Sequence, residues 1–227
     1  MSSWNGKKVI VTSDCLIGAL DGMNEDGLAI SITFGGRKEV GEGFGIPFII
    51  RSVSECCSTV KEAVESLTRI PSHMSYNVTV VDKTGVFKTV FVAPDRTAVV
   101  NNDTFTTNHQ KSVDWLANAL FNRTLERASF LKNLLAKEDL DSKTLTQSFL
   151  QKPLYNDRFN KGFGTLYTAV YKPLEGTVQL LWSNSDITQS FDNFTPQKNS
   201  VEFDMSIEEP IKPIVARRKK TSFSFNK

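Results

Sequence analysis

Apolar residues along this chain recur mostly with a period of two, in short runs set apart by polar and glycine-rich punctuation. Val9-Ile10-Val11 and Leu16-Ile17 are brief apolar pieces, and residues 21–27, DGMNEDG, have the chemistry of a tight turn between strands. Residues 28–34 then alternate and are β-branched enough to predict a strand. Five glycines between Gly35 and Gly45 predict a loop. The period changes after that loop. Phe48, Ile49, Val53 and Cys56 fall at helical intervals, which predicts a buried helix over 47–57. Thr59 and Glu62 match a capping box, and Val60, Ala63, Val64 and Leu67 follow at i, i+3, i+4 and i+7 until Pro71 stops the helix.

Alternation returns in residues 77–81 and 86–92, joined by Asp82-Lys83-Thr84-Gly85 as a hairpin. Short strands are predicted over 97–100 and 104–109. A long helix over 113–137 and another over 140–150 come next, then a closing hairpin of 165–171 and 177–182 around Pro173 and Gly176. Beyond Trp182 the periodicity fades. Hairpins, rather than strand–helix–strand alternation, predict an α+β fold of antiparallel sheets with helices packed on their outer faces. One domain is expected over 1–194, with an extended or partly disordered tail over 195–227.

Composition narrows the picture. With 40% hydrophobic residues and 16 Phe, the chain has the makings of a folded core. Net charge is only +2, and the basic run at residues 217–220 reads as a solubilising tail, so no nucleic-acid partner is expected. No apolar run reaches the length of a membrane helix and the start lacks a signal-peptide pattern, which predicts a cytoplasmic protein with no membrane partner. Cys15, Cys56 and Cys57 are an odd number, two of them adjacent, as expected of reduced thiols. All three read as core residues, Cys15 in a short strand.

Candidate chemistry lies in three places. Asn24, on a glycine-bounded turn, is either a turn former or a neutral oxyanion donor. Asn108, in Thr106-Thr107-Asn108-His109, has the same two readings, and His109 beside it is either a neutral structural imidazole or a base. Arg127, in Thr124-Leu125-Glu126-Arg127, suits a substrate carboxylate, the orientation of a polar neighbour, or a solvated face with a Glu partner; Arg123 shares its surroundings. With only His73 as a second histidine, no metal site is expected, and the glycines of 35–45 do not form a phosphate loop. No cofactor is implied.

DGMNEDGLAIS, then GFGIPFIIRSVSECCSTVKEAVESLTRIP, YNVTVVDKTG, TTNHQ, TLER and FGTLYTAVY, in that order, resemble the cysteine N-terminal-nucleophile hydrolases, nearest to the acyl-CoA:6-aminopenicillanic acid acyltransferase branch and more distantly the choloylglycine hydrolases. The resemblance implies a four-layer αββα sandwich, here without its first strands, and a linear amide hydrolase or acyltransferase working through an acyl-cysteine on a small acyl-amide. It assigns Asn24 to the oxyanion hole, Asn108 to a place beside the scissile amide and Arg127 to the active-site network. In that pattern the N-terminal Cys lies well upstream of DGMNE. This chain is therefore expected to be a fragment or split form that needs an N-terminal partner segment or forms a homo-oligomer; the alternative is a non-catalytic binding or structural remnant of the fold.

Overall fold

The computed structural model describes residues 1–203. Seven antiparallel strands lie side by side in chain order: β1 (Ser2–Trp4), β2 (Lys7–Asp14), β3 (Gly18–Asn24), β4 (Ala29–Phe34), β5 (Tyr76–Val81), β6 (Phe87–Val92) and β7 (Val99–Asn101). Period-two patterning decides which side each residue serves. Leu28, Ile30, Val78, Val80 and Val90 point to one face, where α1 (Ile46–Cys56) and α2 (Val60–Arg69) bury Ile49, Ile50, Val53, Ala63 and Leu67 against them. Each of these Leu, Ile and Val side chains contributes roughly 1.5–3 kcal/mol on burial. The capping box at Thr59 and Glu62 is formed, with Thr59 Oγ1 accepting from the Glu62 amide, so α2 starts where its sequence predicts.

Ile10, Met23 and Ala29 point to the opposite face. There they meet Val178 and, partly buried, Tyr171, Leu180 and Phe191 of a second antiparallel sheet, β10 (Thr168–Lys172), β11 (Thr177–Leu181) and β12 (Asp186–Ser190). Helices, large sheet and small sheet thus stack in that order, in the α+β layering of antiparallel sheets read from the sequence. Three helices, α3 (Leu116–Asn122), α4 (Thr124–Leu135) and α5 (Ser142–Ser148), and a two-stranded ribbon of β8 (Asp157–Arg158) and β9 (Phe163–Gly164), connect β7 to the second sheet. Among the described residues no helix is long and apolar enough to cross a membrane.

Several expectations are corrected. Strand β3 runs through residues 18–24, so the turn is only Glu25 to Gly27; Gly22, where any Cβ would fall 2.4 Å from Val11, is a strand residue chosen for close approach. Cys15 is exposed rather than core and lies in the β2–β3 turn beside Leu16, itself 98% exposed, both at positive φ. Cys56 is exposed; only Cys57 is buried. Residues 104–109 do not form a strand, and the helix expected over 113–137 is broken at Arg123. Strands β1 and β12 lie outside every predicted run, both being short edge strands with little apolar content. The basic run at 217–220 lies outside the described residues.

Candidate active site

After β7 the chain enters the Thr106-Thr107-Asn108-His109 segment, which has its own local geometry. The His109 amide donates to the Thr107 carbonyl at 2.8 Å, closing a three-residue γ-turn with Asn108 at its apex. Asn77 of β5, fully buried, holds this turn from below: its amide donates to the Thr107 and His109 carbonyls, each at 2.9 Å, and to Thr33 Oγ1 at 3.0 Å. Gln110 follows, donating to the Tyr76 and Val92 carbonyls at 3.2 and 3.1 Å. Gly36 packs on the turn at φ +71°, where a Cβ would stand 2.5 Å from the Asn108 carbonyl oxygen. Buried Arg37 forks onto Asp95 at 2.7 and 2.8 Å and reaches Asp114 at 2.8 Å, tying the glycine loop to both flanks of the segment.

The break between α3 and α4 meets the turn from the other side. Arg123 sits in the left-handed region (φ 57°, ψ 36°), a costly place for a non-glycine residue, and Thr124 begins α4. Thr124 Oγ1 donates to Thr107 Oγ1 at 2.8 Å, and Thr107 Oγ1 donates to the Thr124 carbonyl at 3.2 Å. His109 Nδ1 lies 2.9 Å from Thr124 Oγ1. The same nitrogen lies 3.1 Å from Thr107 Oγ1, so His109 Nδ1 joins both threonine hydroxyls. Burial, and then the nearby Arg127 charge, push the His109 pKa down, so the ring is neutral at pH 7.

Arg127, one turn into α4, brings the two halves together. Its Nε donates to the Asn122 carbonyl at 3.0 Å and its Nη2 donates to Asn108 Oδ1. Arg123 is instead paired with Glu126 at 2.5 and 2.7 Å. Burial, and then the positive charges of Arg123 and Arg158, lower the Arg127 pKa from its ordinary value, though it stays cationic. Asn108, Arg127, Asn122, Asn156, Phe163 and Thr165 line a cleft of about 110 Å³. An arginine only donates, so it fixes the Asn108 amide with oxygen toward Arg127 and leaves the Nδ2 hydrogens out of that bond. A neutral, pre-oriented N–H donor of this kind stabilises charge that develops on a carbonyl oxygen.

Asn24 is not brought to this cleft. It is fully buried, and its amide donates to the Ser54 and Cys57 carbonyls at 3.1 and 2.8 Å while its oxygen accepts from the Leu28 amide at 3.1 Å. Those bonds tie the end of α1 to the β3–β4 turn. It faces the helix layer at the start of β4, whereas the Asn108 turn is held by Thr33 and Asn77 near the far end, roughly 15 Å away along the strand. The expected convergence of the two carboxamides is absent. Nor does any cysteine line the cleft: Cys15 is in the β2–β3 turn, Cys56 ends α1, and Cys57 is buried beside Ser66, with burial raising its thiol pKa.

A family model described as acyl-coenzyme A:6-aminopenicillanic acid acyl-transferase matches residues 5–186. The chain belongs to that family. Members of the N-terminal-nucleophile hydrolase fold are also its structural neighbours. Penicillin V acylase from Agrobacterium tumefaciens aligns over 82% of this chain and 70% of its own, with a TM-score of 0.54 at 17% identity. A mutant of conjugated bile acid hydrolase from Clostridium perfringens aligns over 87% of this chain and 82% of its own, with a TM-score of 0.57 at 16% identity. Nothing matches among curated protein sequences. Within this acyl-transferase family member, sequence reading singled out Asn108 and Arg127, which the structure places side by side, and passed over Asn77, Thr107, Thr124 and Arg37. Asn77 had a visible signal, an amide inside the otherwise apolar and β-branched run YNVTVV.

Proposed function

We propose that this chain supplies the carbonyl-polarising side of a linear amide hydrolase or acyltransferase, acting on a C–N bond other than a peptide bond. Asn108 Nδ2 donates to the amide carbonyl, and Arg127 holds the carboxamide in that orientation. A cysteine thiolate attacks the carbonyl carbon, the C–S bond forms, and the carbonyl electron pair moves to oxygen, where Asn108 receives it. Collapse breaks the C–N bond, and the amine leaves with the proton that the nucleophilic cysteine's own α-amino group took from the thiol. Water or another amine then releases the acyl group from sulfur. The observation that carries this reading is the one-sided fixation of Asn108 by a cationic arginine in a polar cleft.

Because Cys15, Cys56 and Cys57 all stand away from the cleft, the proposal assigns the thiolate to a segment outside these 227 residues. The same observation favours a second reading, a binding remnant of the fold that performs no reaction. Assaying the purified chain with penicillin V tests both. The enzyme reading expects no turnover by the chain alone and turnover once an upstream segment bearing an N-terminal Cys is supplied. Turnover without that segment contradicts the assignment of the thiolate, and no turnover with it leaves the remnant.

A further inference from the structure

Asn77 is a fully buried carboxamide whose oxygen has no hydrogen-bond partner, one of two such buried side-chain atoms found among the described residues. The other is Asn122 Oδ1, in the residue whose carbonyl accepts from Arg127. Leaving a buried acceptor unpaired costs about 1–3 kcal/mol, which folds tolerate where another demand overrides it. Both orphaned atoms belong to residues bonded directly to the Asn108–Arg127 unit or its turn. Flipping the Asn77 amide does not relieve the defect, since its oxygen would then face the Thr107 and His109 carbonyls at 2.9 Å. The donors therefore set the orientation.

We infer that Asn77 is a positioning residue whose two N–H groups clamp the carbonyls on either side of Asn108 and so fix where the Asn108 amide points. A three-residue γ-turn has a single internal hydrogen bond to define it, here from His109 to Thr107. Asn77 adds a second, external definition: one amide bridges both carbonyl ends of the turn, and its own strand is locked in the large sheet by β4 and β6 on either side. Thr33 Oγ1, the cross-strand neighbour of Asn77, also reaches the Thr107 carbonyl at 3.3 Å. Arg127 then sets the remaining freedom, rotation of the Asn108 side chain.

This inference rests on reading Asn108 as the donor of the cleft, yet its test needs no turnover. In the ¹⁵N-labelled full chain, Asn108 side-chain resonances are assigned by their loss in Asn108→Ala, and exchange of the His109 backbone amide reports on the turn. Asn77→Ala is compared with Val80→Ala, a core truncation on the other face of the same strand. The clamp expects Asn77→Ala to move the Asn108 side-chain resonances and speed His109 exchange about tenfold, while Val80→Ala does neither at equal loss of stability. Equal responses in the two variants overturn it. If Asn77→Ala does not fold, Asn77→Ser keeps one donor and is judged by the same comparison. If neither folds, trans-hydrogen-bond couplings from Asn77 Nδ2 to the Thr107 and His109 carbonyls in the unmodified chain decide, and their absence overturns the clamp. In the form completed with a Cys-bearing segment, the clamp further expects kcat to fall with KM held; an unchanged kcat in a folded Asn77 variant counts against it.

Discussion

Arg127 donates to Asn108 Oδ1, so the acceptor end of that carboxamide is occupied, and both residues line one cleft. Two residues nineteen positions apart in sequence, one on a γ-turn and one on a helix, thus act as a single oriented dipole. Replacing Arg127 with Met leaves Asn108 Oδ1 and the Asn122 carbonyl without their donor and should lower unfolding free energy by about 2 kcal/mol. Lys should recover only part of it, because an ammonium lacks the fork that reaches both acceptors. Urea denaturation midpoints of the three proteins check this; full recovery by Lys contradicts it.

Gly36 should not tolerate a side chain. Ala there takes both a strained φ of +71° and a 2.5 Å approach to the Asn108 carbonyl. We expect Gly36→Ala to destabilise by at least about 1–2 kcal/mol and to disturb the turn, whereas Gly85→Ala, at φ +82° in open space, incurs only the backbone strain. A larger thermal shift for Gly85→Ala would contradict the packing argument.

The Arg37 cluster predicts acid sensitivity. Hydrogen bonding to Arg37 holds the Asp95 carboxyl down at about 2, below its ordinary value. With the folded pKa depressed, the stabilisation is present above the ordinary carboxylate range and is lost as pH falls toward about 2. Arg37→Leu should therefore cost stability at neutral pH and flatten the acid limb of the stability curve. An unchanged acid limb in melts between neutral and acid pH would count against the pairing.

How much of this was legible beforehand differs by element for physical reasons. Thr59 and Glu62 announced α2 because a capping box satisfies local amides without help from distant residues. The Asp82-to-Gly85 hairpin was readable for the same reason. Asn24 and Asn108 looked alike, since an asparagine near a turn carries the same local signal whether it bonds to backbone or faces a cleft. Only the neighbours brought by folding separate them: Ser54 and Cys57 for one, Arg127 for the other. The break at Arg123 was invisible because no proline or glycine marks it; the Thr107–Thr124 bonds that accompany it span seventeen residues. Cys15 misled through its apolar neighbours Leu16 and Ile17, which sit on an exposed turn.

Asp21 supplies an opposite pH signature at the interface of the two sheets. Burial raises its pKa, against hydrogen bonds from Thr12, Tyr167 and Tyr171 that lower it; Tyr167 donates to Asp21 Oδ1 at 3.0 Å. A folded pKa above the unfolded one gives stability that is full below the ordinary carboxylate pKa and lost as pH rises through the folded value. Asp21→Asn removes that loss. The melting temperature of the variant relative to the parent should climb from about pH 4 to pH 7, and a flat or falling difference would contradict the assignment.

Binding of penicillin V to the full chain, followed by titration of the Asn108 side-chain amide resonances, is the most direct test of the account. Saturable movement of those resonances, with affinity at least about tenfold weaker in a folded Asn108→Ala protein, is the predicted result. Equal affinity in the two proteins would contradict the claim that this carboxamide grips the carbonyl.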